Sequence, residues 1–127
     1  PIIGGNGFNN PQVLEIAGQA SEGLIVATPF SPDKKDDNVQ NFVKKFEEKY
    51  GKKPDQFAAQ AYDGLYIMAQ SLLKTNKSDD RNALREELAK LKDFNGVSGK
   101  LSFDEKRNPI SEPVVVTVKN GKFVTFE

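Results

Sequence analysis

The residues best placed to do chemistry lie in one glycine-rich stretch, Gly5-Asn6-Gly7-Phe8-Asn9-Asn10. A loop of this kind, following a buried strand, can present backbone amides and short polar side chains to a small ligand. Open α/β sheets place their sites at such carboxyl ends of strands. The stretch begins like a dinucleotide fingerprint, but the third glycine is missing. The acidic residue expected about 20 positions further on is missing too, since Ala27 to Ser31 contains none. Nucleotide binding is therefore disfavoured. Two readings stay open: a tight turn whose glycines take positive φ, and a small-ligand loop.

Among carboxylates, Asp63, Asp104 and Glu105 are the ones to weigh as an acid/base pair. A paired-carboxylate hydrolase needs two acids facing each other across a cleft, and nothing in the sequence brings Asp63 to Asp104. They read as solvated or helix-end side chains, and the calcium-loop spacing is matched nowhere. The chain has no His and no Cys. That removes the commonest general base, Ser-His and Cys-His nucleophiles, thiolate metal sites and disulfides. An α/β enzyme would have to use a carboxylate, Lys or Tyr as base, and is the weakest functional class. No cofactor or metal is expected. Of nine Phe and three Tyr, most fall on core stripes. Phe8 and Phe57 each start an element beside a loop, where a ring either packs in the core or walls an apolar ligand pocket.

The elements that must position these residues follow from periodicity. Residues 57–73, FAAQAYDGLYIMAQSLL, form the central helix, with Phe57, Ala61, Leu65, Met68, Ala69 and Leu72 on one apolar stripe. Ala58, Tyr62 and Leu73 widen that stripe, so the helix is expected to press this face onto a sheet. Asp55 is its capping residue and Pro54 precedes it. Gly64 costs about 1 kcal/mol relative to Ala in a helix interior, which suggests that another backbone passes close.

Residues 1–3 read as a strand end and 11–20 as a short helix. GLIVAT (23–28) reads as a strand of a parallel sheet covered on both faces, broken by Pro29-Phe30-Ser31-Pro32. Val39, Phe42, Val43, Phe46 and Tyr50 mark a second long helix closed by Gly51. A helix over about 81–91 is capped by Asp79 or Asp80. Before it, Lys74 to Ser78 reads as a surface loop containing the formal glycosylation triplet Asn76-Lys77-Ser78, to which little weight attaches. Beyond Asp93 the period becomes two: Val97, Gly99, Leu101 and Phe103 alternate, residues 104–109 turn, and strands over 114–118 and 123–126 are joined by an Asn120-Gly121 hairpin.

At 127 residues the chain fits one ordinary domain, and 18 basic residues balance 18 acidic ones. No global field favours nucleic acid or an anionic membrane, and the charge runs alternate in sign as on a solvated helix face. No apolar run approaches the roughly 18 residues that span a bilayer. No signal peptide is read; the chain opens at Pro1-Ile2-Ile3 in what looks like the inside of a strand.

Taken in order, IIGGNGFNN, SEGLIVATPFSP, FAAQAYDGLYIMAQSLLK and FNGVSGKLSFDEKRNP followed by a hairpin resemble the type I periplasmic solute-binding proteins of ABC importers, in particular the branched-chain amino-acid (Leu/Ile/Val) group. The resemblance covers essentially the whole chain, but only the carboxyl-terminal third or so of such a protein. It implies an α/β fold of two three-layer lobes joined by crossing strands, with ligand trapped between them. Residues 1–29 would belong to the second lobe, 30–111 to the first, and 112–127 would return to the second. Pro29 to Pro32 and about Asn108 to Pro113 would be hinge crossings.

The resemblance also implies site residues. Asn6 stands where amino-acid binders of the family present a carboxylate to the ligand's ammonium, and an amide lacks the charge that makes such contacts about twice as strong. Either the ligand is not a free amino acid or another group supplies the anion. Gly7 matches a backbone contact in the same loop, Phe8 lies at its mouth, and Phe57 matches an aromatic wall from the first lobe. The implied function is a non-enzymatic one: capture of a small amino-acid-like solute by hinge closure, outside the cytoplasm, and delivery to a membrane permease. The alternative is a ligand-sensing domain of the same fold in a regulator or receptor. Cut from its partner strands, GLIVAT would lack a neighbour on at least one side. The chain is then expected to bind the missing amino-terminal portion, to self-associate by exchanging elements, or to rearrange into one lobe.

Overall fold

The computed structural model describes residues 1–75 and 79–126, so the triplet Asn76-Lys77-Ser78 lies outside the described residues. Eleven elements follow the expected order of strand, helix, strand, three helices and a β-rich tail. They are β1 (Ile3–Gly4), α1 (Pro11–Ala17), β2 (Ile25–Thr28), α2 (Asp37–Tyr50), α3 (Gln56–Thr75), α4 (Arg81–Ala89), β3 (Phe94–Gly96), β4 (Gly99–Phe103), β5 (Pro109–Ser111), β6 (Val114–Lys119) and β7 (Lys122–Thr125).

Capping sets the helix ends. Asp36 accepts from Asn38 N and Val39 N to start α2, and Gly51 ends it in the left-handed region at φ 68°. Asp55 accepts from Ala58 N at 2.9 Å in the first turn of α3, and Asp80 from Asn82 N and Ala83 N ahead of α4. α1 stops at Ala17, three residues earlier than its apolar spacing suggests, because Gly18 turns to φ 52° and the chain continues as a single 3-10 turn.

The strands form two sheets. One has the order β1-β2-β6-β7, the other β3-β4-β5. β2 runs parallel to β1 (Ile3 opposite Ile25) and antiparallel to β6 (Val26 opposite Val116). GLIVAT therefore has a neighbour on each side, against the expectation of an unpaired edge. Nor is it covered on both faces: Leu24, Val26 and Thr28 are buried, Ile25 is half-buried and Ala27 is exposed. Asn120 and Gly121 both take positive φ, as a two-residue turn between β6 and β7 requires. Its two amides, Asn120 N and Gly121 N, donate to the Glu22 carboxylate at 3.0 and 2.5 Å. Val97 sits in the turn between β3 and β4 and not within a strand.

Apolar side chains bury in two clusters. Leu24, Val26, Val116 and Val118 form one beneath the first sheet, with Val13, Leu14 and Phe123 against it. Phe30, Val39, Phe42, Val43, Ala59 and Val97 form the other between α2, α3 and the β3–β4 turn. The central helix does not bury the stripe expected of it. Phe57, Leu65 and Leu73 are 52%, 69% and 78% exposed, Met68 is 41% exposed, and Ala61 and Ala69 are also exposed. The buried line is Gln56, Ala59, Asp63, Ile67 and Ser71, which has the same helical spacing on another side. Tyr62 stacks between Phe42 and Tyr66, with ring centroids 4.8 and 4.7 Å away. Its hydrogen bond with Tyr66, then burial, holds its hydroxyl above the ordinary tyrosine range.

Candidate functional site

The glycine stretch leaves the end of β1 and folds into one 3-10 turn, Asn6–Phe8. None of Gly4, Gly5 and Gly7 takes positive φ, so the tight-turn reading does not explain them. Gly4 is required for a different reason. A Cβ there would sit 2.9 Å from ring carbons of Phe8, so the Phe8 ring lies over a bare backbone. That contact holds one side of the ring while the residue stays 47% exposed.

Two side chains fix the loop to the rest of the molecule. The Asn9 amide donates to Thr28 Oγ1 (2.8 Å) and to the Phe30 carbonyl (3.2 Å), bridging the end of β2 and the residue beyond Pro29. Gln56, at the head of α3, donates to the carbonyls of Asn6 (2.8 Å) and Asn9 (3.2 Å). The Gln56 bonds thus join the loop to the first residue of α3. Asn6 faces a cleft of about 1010 Å³ whose walls include Thr28, Pro29, Gly64, Met68 and Arg107. Gly7, Phe8 and Phe57 lie outside that lining.

Gln56 does not stand out in the sequence as a site residue, and Asn9 enters only as a member of the glycine-rich stretch. A Gln in the first turn of an amphipathic helix reads as solvated; its burial depends on a loop 50 residues away. Asp63 is also misread as a surface group. It is 4% exposed and accepts from Val97 N (2.8 Å), Ser98 N (2.7 Å) and the Ser98 hydroxyl, binding α3 to the β3–β4 turn. Its lone pairs are committed to holding that turn, which leaves it poorly suited to act as a base. The close backbone approach expected at Gly64 is absent: a Cβ there would meet open space. A close approach is found instead at Gly96, and by a side chain: a Cβ there would overlap the Asp63 carboxylate.

Asp104 belongs to a local turn. It accepts from Lys106 N (2.8 Å), Asn108 N (2.7 Å) and the Asn108 amide (2.9 Å), and the Asn108 bonds chiefly hold its carboxyl below the usual range. Among the described residues, no group of three or more His, Cys, Asp or Glu side chains could hold a metal ion. Among them, too, no helix is long and apolar enough to cross a membrane.

Residues 2–122 match the periplasmic binding protein family. A Leu/Ile/Val-binding protein homologue from Brucella abortus is 32% identical over 109 residues, covering 85% of this chain and 28% of its own length. Among solved structures, a leucine-binding protein from Thermotoga maritima superposes with a TM-score of 0.89 at 35% identity, covering 99% of this chain and 36% of that one. A solute-binding protein of an ABC transporter from R. palustris, in complex with benzoate, gives 0.81 at 28% identity, with 98% and 34% covered. The chain thus spans about a third of the length of the relatives it matches. These relatives are binding proteins, not enzymes.

Proposed function

This chain belongs to the periplasmic binding protein family, and we propose that it supplies one part of a solute site in an extracytoplasmic component of an ABC importer. The observation that carries this reading is the junction of the Asn6–Phe8 turn with the head of α3, at the edge of a cleft and beside Thr28 and Pro29, where the crossing read at Pro29 to Pro32 begins. In this reading residues 1–29 and 112–127 belong to one lobe and residues 30–111 to the other. The two apolar clusters are then parts of two lobe cores. Closure about Pro29 to Pro32 and about Asn108 to Pro113 brings Asn6, Gly7 and Phe8 from one side and Phe57 from the other onto the solute. Delivery to a membrane permease follows.

The ligand we infer is a small amino acid or a related carboxylic acid. Asn6 offers a neutral amide where a cationic ammonium would gain most from a carboxylate, so a solute without an ammonium group suits the loop at least as well. The exposed side of α3, with Leu65 and Leu73, is the surface we assign to the remainder of the first lobe. Isothermal titration of the full-length parent with L-leucine, L-isoleucine, L-valine and benzoate tests the reading. Saturable binding of at least one is expected; no binding across that panel overturns it.

A further inference from the structure

Gln56 is fully enclosed, at 0% exposure. It opens α3, yet its side chain does not serve the helix, whose early amide at Ala58 is taken by Asp55. Its Nε2 places both protons on carbonyl oxygens of the loop, Asn6 at 2.8 Å and Asn9 at 3.2 Å. Its Oε1 accepts from Thr28 Oγ1 at 3.3 Å. That hydroxyl accepts in turn from Asn9 Nδ2 at 2.8 Å, and the second Asn9 proton goes to the Phe30 carbonyl at 3.2 Å.

Every proton here has one destination, so the donor count alone fixes which way both amides face. Turning over Gln56 would set an oxygen against two carbonyl oxygens, and turning over Asn9 would set one against the Phe30 carbonyl. Among the described residues no buried side-chain N or O lacks a hydrogen-bond partner. A satisfied, enclosed network specifies one geometry, because displacement leaves a donor or acceptor unpaired away from water. The geometry specified here is that of loop 6–9 relative to α3 and to the crossing. An apolar side chain of similar length would fill the same space. Only an amide holds the two carbonyls.

We propose that Gln56 is a positioning residue for the ligand loop. It does not touch the solute. Through the Asn6 carbonyl it fixes where the Asn6 side chain and the Gly7 amide are presented, and so sets the affinity and selectivity of the site for small amino and carboxylic acids. This rests on the solute-binding reading given above.

A double-mutant cycle in the full-length parent tests it, with Asn6→Ala, Gln56→Met and their combination titrated with L-leucine, L-valine and benzoate. Gln56→Met is expected to weaken binding of the preferred probe about tenfold. It is also expected to change the preference among the three probes, and to weaken binding much less when Asn6 is already Ala. Multiplying effects, or a Gln56→Met protein that binds as wild type while only its melting temperature moves, would overturn the proposal. Where Gln56→Met does not fold, Thr28→Val, which keeps the side-chain shape and removes the hydroxyl, goes through the same cycle with the same criteria. A wild-type parent that binds none of the probes sinks the solute-binding reading and this role with it. A wild type that binds beside variants whose effects multiply sinks only the role of Gln56.

Discussion

The β6–β7 hairpin and helix α3 bury their side chains by opposite rules. In the hairpin, Val116 and Val118 go inside while Val115 and Lys119 stay out, as strand alternation dictates. In α3 the enclosed residues include Gln56, Asp63 and Ser71, while Phe57, Leu65 and Leu73 face outward. The hairpin is held by apolar area, whereas α3 adds to the apolar packing of Ala59 the hydrogen bonds of Gln56 and Asp63 with backbone groups of distant turns. Such bonds fix an orientation that an apolar contact, being non-directional, does not. They also leave the helix's apolar side available.

The sharpest way to break this contrast is at Asp63. Asp63→Ala leaves Val97 N and Ser98 N without their acceptor and is expected to cost about 3 kcal/mol in urea unfolding. An effect below about 1 kcal/mol would mean that polar docking of α3 is unimportant. Next is Val116→Ala in the hairpin, expected to cost about 2 kcal/mol through a cavity under the first sheet. A similar loss from Leu65→Ala on the exposed side of α3 would refute the outward placement of that side chain; the expected change is under about 0.5 kcal/mol. Glu22→Ala removes the acceptor of the two hairpin-turn amides and is expected to cost about 1 kcal/mol, with faster amide exchange at Asn120 and Gly121.

The smallest effect is a pH dependence. Hydrogen bonds from Asn108 hold the Asp104 carboxyl below its ordinary range. The stabilisation it confers is therefore complete above the unfolded carboxylate value and is lost as pH falls through the lower folded value. Acid titration followed by the Asn108 amide signals should show the turn loosening at acid pH, and Asp104→Asn should remove that dependence. A turn that loosens instead as pH rises would contradict the assignment.

Much of the fold was legible because local chemistry decided it. Asp55 and, of the pair Asp79 or Asp80, Asp80 cap helices, Gly51 ends one, and Asn120-Gly121 makes the hairpin turn, each needing only its neighbours. The loop residues Asn6, Gly7 and Phe8 and the helix residue Phe57 are named as site residues through the resemblance alone; of these four, only Asn6 lines the cleft. The buried polar anchors were not. Gln56 and Asp63 take their roles from backbone groups 50 and 34–35 positions away, and an isolated helical pattern assigns the apolar side to the core by default. That default fails for α3 because Gln56 and Asp63 find backbone partners in distant turns while Phe57, Leu65 and Leu73 stay exposed.

The most direct measurement is hydrogen exchange of the full-length parent with and without saturating L-leucine. Ligand should slow exchange in residues 5–9, 27–32 and 55–58, where the loop, the end of β2 and the head of α3 meet, and leave the Val114–Thr125 hairpin unchanged. Protection confined to the hairpin, or spread evenly over the chain with none at the loop, would contradict a solute site at this junction.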